Sequence, residues 1–316
     1  YVLLKGNGFN DGNITVTDTG NKSLGFYGVS GVFSNTSNGK IETTGTNNNA
    51  VYLKEDTTKG TLKFTNTGNI IANTEGTVGV YIEKANEFNH DGGVIKAGNG
   101  AAGIYNISDP TSSTVKVKSE INVTGSTGNR TGIGVYSDGK SVTTFNTGAK
   151  LVLGEGTVGL YSAKNNNFET TFVTNGLKTE IGKKSVLAYF GSTGNQTDDT
   201  VNITNGTLAN LSIEKMGEKS ALFYGAAGST VNIADNIMIA RTASSTIDDS
   251  AQVLVTDGGN ANINSGKTLT SKLKTTISGL NGATVTNEGT LALTGKDGAV
   301  GIYSNASTVK NKKIIT

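Results

Sequence analysis

Few residues in this chain are of types that do chemistry. Its 316 residues include one histidine, no cysteine and no tryptophan. His90 stands in the phrase FNHDGG, residues 88–93. One imidazole without thiolates does not make a usual zinc site, and no serine or second base is tied to it by spacing. Other copies of the phrase carry Thr or Asn at this position, so His90 reads as a solvated corner residue. The acidic pairs Asp198–Asp199 and Asp248–Asp249 suit paired carboxylates or calcium by type alone. Neighbours along a strand point to opposite faces, however, and no calcium-binding nonapeptide of the GGxGxD kind recurs. The cluster GNGAAG at 98–103 precedes a strand-like stretch instead of following one and opening a helix, so it is no nucleotide loop. No catalytic residue, cofactor site or metal site is expected, and the ligand-binding residues are not identifiable.

Composition points the same way. There are 27 basic and 25 acidic residues, a net charge of +2, and 44 glycines. No basic stripe gives the electrostatic footprint of nucleic-acid binding. No apolar run approaches the roughly 18 residues of a membrane span, so this segment is not expected to be membrane-embedded. With no catalytic group to position, the elements themselves become the informative part.

The stretch EGTVGVYIE at 75–83 returns as EGTVGLYSA at 155–163. Nine of the ten tyrosines share that local context: Tyr27, Tyr52, Tyr81, Tyr105, Tyr136, Tyr161, Tyr189, Tyr224 and Tyr303. A second phrase alternates with it, an apolar anchor followed by an Asn/Thr/Gly stretch, as in FTNTGNI from Phe64 and VTNEGTL from Val285. Placing the anchor at Phe9, Phe33, Phe64, Phe88, Val117, Phe145, Phe172, Val201, Val231, Ala261, Val285 and Val309 gives spacings of 24 to 31 residues. The chain is thus about eleven copies of a unit of about 27 residues.

Apolar residues alternate within each unit, and Gly or Asn punctuates every few residues, which reads as short strands. About three strands per unit is one coil of a right-handed parallel β-helix, an all-β solenoid running through residues 1–316 as a single elongated segment. A leucine-rich repeat would show Leu at fixed offsets, and a propeller blade needs roughly 40 residues. With strands ~4.8 Å apart, eleven steps make a shaft on the order of 50 Å long. Uncapped first and last coils predict that the segment comes from a longer chain.

Extra residues are expected at one corner, in loops 53–60, 106–114 and 190–200. The two coils lacking the tyrosine, within 231–284, are expected to be irregular and to include a loop at 240–250. Loops on a rigid scaffold are where recognition sits, although corners also simply tolerate insertions. Strict alternation with Val78, Val80 and Ile82 inward puts Gly79 and Tyr81 outward. The tyrosines then form a ladder, either open to sugars or a partner chain, or stacked on one another and shielding the backbone. A β-helical carbohydrate-active enzyme needs two or more carboxylates, often with Arg or Lys, on one face of adjacent coils. Here the polar strand positions carry mostly Thr, Ser and Asn, and the only arginines are Arg130 and Arg241.

The phrases TVGVYIE, AAGIYNIS, TVGLYSA and AVGIYSN, alternating with FTNTGNI and VTNEGTL, resemble the passenger regions of bacterial type V autotransporter adhesins. The resemblance is greatest to the large fusobacterial outer-membrane adhesins. It implies a non-enzymatic, extracellular segment at the bacterial cell surface, in a parent carrying an export signal and an outer-membrane barrel. It also implies attachment to other bacteria or to host-cell receptors, protein or glycan, through loops on the shaft. A structural spacer is the alternative, and an enzyme the second alternative.

Overall fold

The computed structural model describes residues 1–316 apart from 19–21, 55, 57, 59, 84–85, 109–112, 127–129, 140, 163–171, 192–198, 205–210, 240–243 and 296–297. The described residues form strands, turns and bends, with no helix. Each coil follows one plan, as in Val78–Ile82, Glu87–His90 and Val94–Ala97, after which Ala102–Ser108 begins the next coil. Every strand pairs in parallel with its equivalents in neighbouring coils, which makes the fold a parallel β-solenoid with three faces.

The first face is one twelve-stranded sheet from Val2–Leu3 to Val300–Asn305, hence eleven coil-to-coil steps. The second face is a seven-stranded sheet ending at Phe172–Thr174 and a five-stranded sheet beginning at Asp199–Ile203. The third is a nine-stranded sheet ending at Thr246–Ile247 and a three-stranded sheet beginning at Ile237–Ile239.

A single coil cannot bury its inner side chains, so each column stacks on the coils above and below. On the first face Phe26, Val51, Val80, Ile104, Val135, Leu160, Ala188, Phe223, Leu254 and Ile277 form one buried column. On the second, Phe33, Phe64 and Phe88 stand in register, with centroids 5.2 and 5.7 Å apart. Corners need unusual backbone. Gly93 has φ 66°, and a Cβ there would lie 2.0 Å from the carbonyl oxygen of Gly68 one coil away, which only glycine avoids.

Register corrects several expectations. Val117 pairs with His90 and Phe145 with Val117, while Val115 and Thr143 occupy the Phe88 position. A slip of two residues keeps the same side of a strand inward, so burial alone does not separate the alternatives. Phe9 is exposed, and Gly8 opposes Phe33. The Tyr1 ring covers Phe33 there, and a Cβ on Gly8 would come within 2.6 Å of its hydroxyl. Gly79 is buried, not outward, and Val78 is only half-buried. Val78 pairs with Ala102 and Val80 with Ile104, so two consecutive residues turn inward at the glycine, a bulge-like break in alternation.

The coils within 231–284 are more regular than expected. Val201, Val231, Ala261, Val285 and Val309 share one register, and Val255 and Ser278 fill the tyrosine position. Their irregularity is the exchange of sheets on the third face between Ile237 and Ile247; residues 240–243 of the 240–250 loop lie outside the described residues. Intervals 54–61, 109–113, 163–171 and 191–198 widen the corner between the first and second faces. Intervals 124–132 and 204–210 widen other corners, so length variation is not confined to one. Residues 55, 57 and 59 of 53–60, 109–112 of 106–114 and 192–198 of 190–200 likewise lie outside the described residues.

Candidate functional site

The outer side of the first face is dominated by a tyrosine column. Tyr27, Tyr52, Tyr81, Tyr105, Tyr136, Tyr161, Tyr189 and Tyr224 stand on eight successive rungs in exact cross-strand register. Successive ring centroids lie 4.3 to 5.8 Å apart with planes within 5–18° of parallel. Pairs in this range contribute roughly 0.5–1.5 kcal/mol each beyond their area. The ring faces are turned on one another, and Tyr161 is buried within the column while the others are half-buried. Beside them runs a half-buried aliphatic column of Val78, Ala102, Ile133, Val158 and Val186.

Two hydroxyls reach carboxylates on the next coil. Tyr52 donates to Glu83, which also pairs with Lys54 at 2.8 Å, and Tyr224 donates to Asp257 at 2.7 Å. Burial first, then these hydrogen bonds, holds Tyr52 and Tyr224 well above the ordinary phenol pKa, and burial with the neighbouring Tyr136 does the same for Tyr105. Burial also raises Tyr81, Tyr136 and Tyr189, with Glu83 adding to the first and Asp257 to the last. At neutral pH these are uncharged phenols.

His90 is not a solvated corner residue. It is fully buried and continues a ladder of inward amides. Asn10 donates to Asn35 at 2.8 Å, Asn35 to Asn66 at 2.7 Å, and Asn66 to His90 Nδ1 at 3.0 Å. His90 Nε2 lies 2.9 Å from the Glu120 carbonyl, so it carries the proton and the ring is neutral. Burial lowers its pKa against the opposing pull of that carbonyl and of Asp91. The unfolded chain takes up a proton below about pH 6.5 that the folded chain refuses, so this contribution is lost as pH falls. His90→Asn is therefore expected to fold and to flatten the thermal midpoint between about pH 7 and 5. A midpoint falling as steeply as in the parent chain would refute this.

The other candidates are structural. Asp248 accepts from the Ser250 backbone at 2.8 Å and hydroxyl at 2.6 Å, a turn, while Asp249 faces Lys274 at 3.8 Å. Asp198 and Arg241 lie outside the described residues, and only the backbone of Asp199 is described, in a strand. Arg130 pairs with Glu75 across a corner. Residues 98–101 form a coil corner, with Gly100 at φ 68°, and Ala102 and Gly103 open the next strand. A hollow of about 300 Å³ is lined by Ser265, Glu288, Thr290 and Lys313, and Glu288 is engaged by Lys312 at 2.7 Å. Among the described residues no group of three or more His, Asp or Glu could hold a metal ion.

No family model, curated protein or solved structure matches the chain. Its own geometry therefore carries the functional reading. The carboxylates beside the ladder, Glu83 and Asp257, were not singled out by sequence reasoning. Their signal was available: each lies two residues beyond the tyrosine position of its coil, beside a tyrosine of the preceding one.

Proposed function

We propose that this chain is a non-enzymatic segment of a bacterial cell-surface adhesin, a solenoid shaft presenting loops to host cells or other bacteria. One observation carries the reading: the first face keeps its register over twelve strands while the chain lengthens at the corner leaving that face, at 54–61, 163–171 and 191–198. A regular scaffold with variable corners is the arrangement that places recognition on loops. Many weak contacts along one shaft add up through effective concentration. The autotransporter-passenger assignment, with anchoring through an outer-membrane barrel, rests on the G-φ-Y phrases alone. Receptors are host surface proteins or glycans, or structures on partner bacteria.

Labelled segment is expected to bind host cells or partner bacteria saturably. Trimming within 109–112, 192–198 and 240–243, between the strands, should abolish binding while leaving the β-sheet circular dichroism unchanged. Equal binding by trimmed and intact chains would reject the loops as the contact elements. A spacer role is the second reading, favoured by tyrosine rings whose faces are turned on each other; binding by neither chain would support it. Release of reducing sugars from polysaccharide would instead mark an enzyme.

A further inference from the structure

An oxidised phenol is strongly acidic, so one-electron oxidation settles where the hydroxyl proton has an acceptor. Stacked rings also pass the resulting hole between neighbours. The ladder combines both conditions. Its eight rings are spaced 4.3 to 5.8 Å apart, and two of them donate to carboxylates, Tyr52 to Glu83 and Tyr224 to Asp257. A hole arriving at Tyr105, Tyr136 or Tyr161 has ring contacts leading both ways along the column.

We propose that the ladder is a site of oxidative modification, at which a peroxidase with hydrogen peroxide joins Tyr52 to Tyr81 and Tyr224 to Tyr189 as dityrosines between neighbouring coils. Tyr81 is the nearer neighbour of Tyr52, at 4.8 Å against 5.8 Å for Tyr27. Tyr224 has a ring on one side only, Tyr189 at 5.5 Å, because Val255 occupies the next rung. Both pairs are half-buried, so the rings can roll from face contact to bring their ortho carbons together.

The chemistry balances without a resident cofactor. Each phenol gives one electron to the peroxidase and one proton to solvent, that of Tyr52 by way of Glu83 and that of Tyr224 by way of Asp257. Two tyrosyl radicals couple through a new bond between ortho carbons, and each ortho hydrogen returns to its ring oxygen as aromaticity is restored. Two hydrogens are lost in all, and one hydrogen peroxide becomes two waters. The product staples consecutive coils on their outer side, leaving the buried columns untouched.

The test is treatment of the full 316-residue chain with peroxidase and hydrogen peroxide, read by dityrosine fluorescence and by mass spectrometry of joined peptides. The 52–81 and 189–224 links are expected to dominate. Glu83→Gln should reduce the first by about tenfold or more, as for loss of a positioned base, and leave the second; Asp257→Asn should do the reverse. Tyr52→Phe preserves the stack and should remove the first link alone. Links spread evenly along the ladder, links only between molecules, or an unchanged 52–81 yield in Glu83→Gln would each overturn the proposal. The pattern in the unaltered chain decides the question even where a variant folds poorly.

Discussion

Phe64→Ala is expected to cost about 3–5 kcal/mol, the range for emptying a buried aromatic site. Phe64 is fully buried and central to an aromatic cluster, with Phe26 at 5.1 Å, Phe33 at 5.2 Å and Phe88 at 5.7 Å. In-register partners above and below fix the walls of the space it leaves, so collapse recovers little. The same change removes a knob from both neighbouring interfaces, and a solenoid has no remote contacts to compensate. Phe64→Leu keeps most of the apolar volume and should cost clearly less. Denaturant titration reads both, and a near-neutral alanine variant would show that the cluster does not set stability in this part of the shaft.

The second large effect is alkaline unfolding. Six ladder phenols have pKa values raised above the ordinary one, chiefly by burial. Below about pH 10 both states hold the proton and the ladder's contribution is intact. Above it the unfolded chain releases protons that the folded ladder retains, so stability falls until the folded phenols ionise as well. Six groups moving together make the fall steep. In a pH titration, phenolate absorbance and loss of β-sheet dichroism should rise together, above the ordinary phenol value. Ionisation of those six phenols near pH 10 over an intact sheet would contradict the account.

Much of this was legible because one side chain marked most of the coils. The tyrosine is bulky, outward and preceded by small or apolar residues, so eight copies aligned without ambiguity and the structure places them in one register. The second face was harder. Its anchor alternates between residues two apart, and Phe145 drew the register away from Thr143. Aligning on Phe33, Phe64 and Phe88 instead puts Asn35, Asn66 and His90 in one column. That alignment locates the buried imidazole from sequence. Gly79 was misplaced for a different reason: alternation fails where two consecutive residues face inward, and no periodic rule signals that. The sheet exchange between Ile237 and Ile247 depends on which coil offers a partner, which local sequence does not encode.

That exchange has a mechanical meaning. Between the coils of Leu177–Ile181 and Leu211–Met216 the second face changes sheets, and the third is bulged between Thr179 and Glu180. One coil further, the third face is joined among the described residues by two residue pairs, Lys215 to Thr246 and Met216 to Ile247. Over both boundaries the tyrosine face alone runs on unaltered. The shaft is therefore two stiff lengths meeting at a compliant joint, with the stacked phenols as its tie. Bending or traction on such a rod concentrates at the joint, so the shaft yields there first while the coils on either side stay closed.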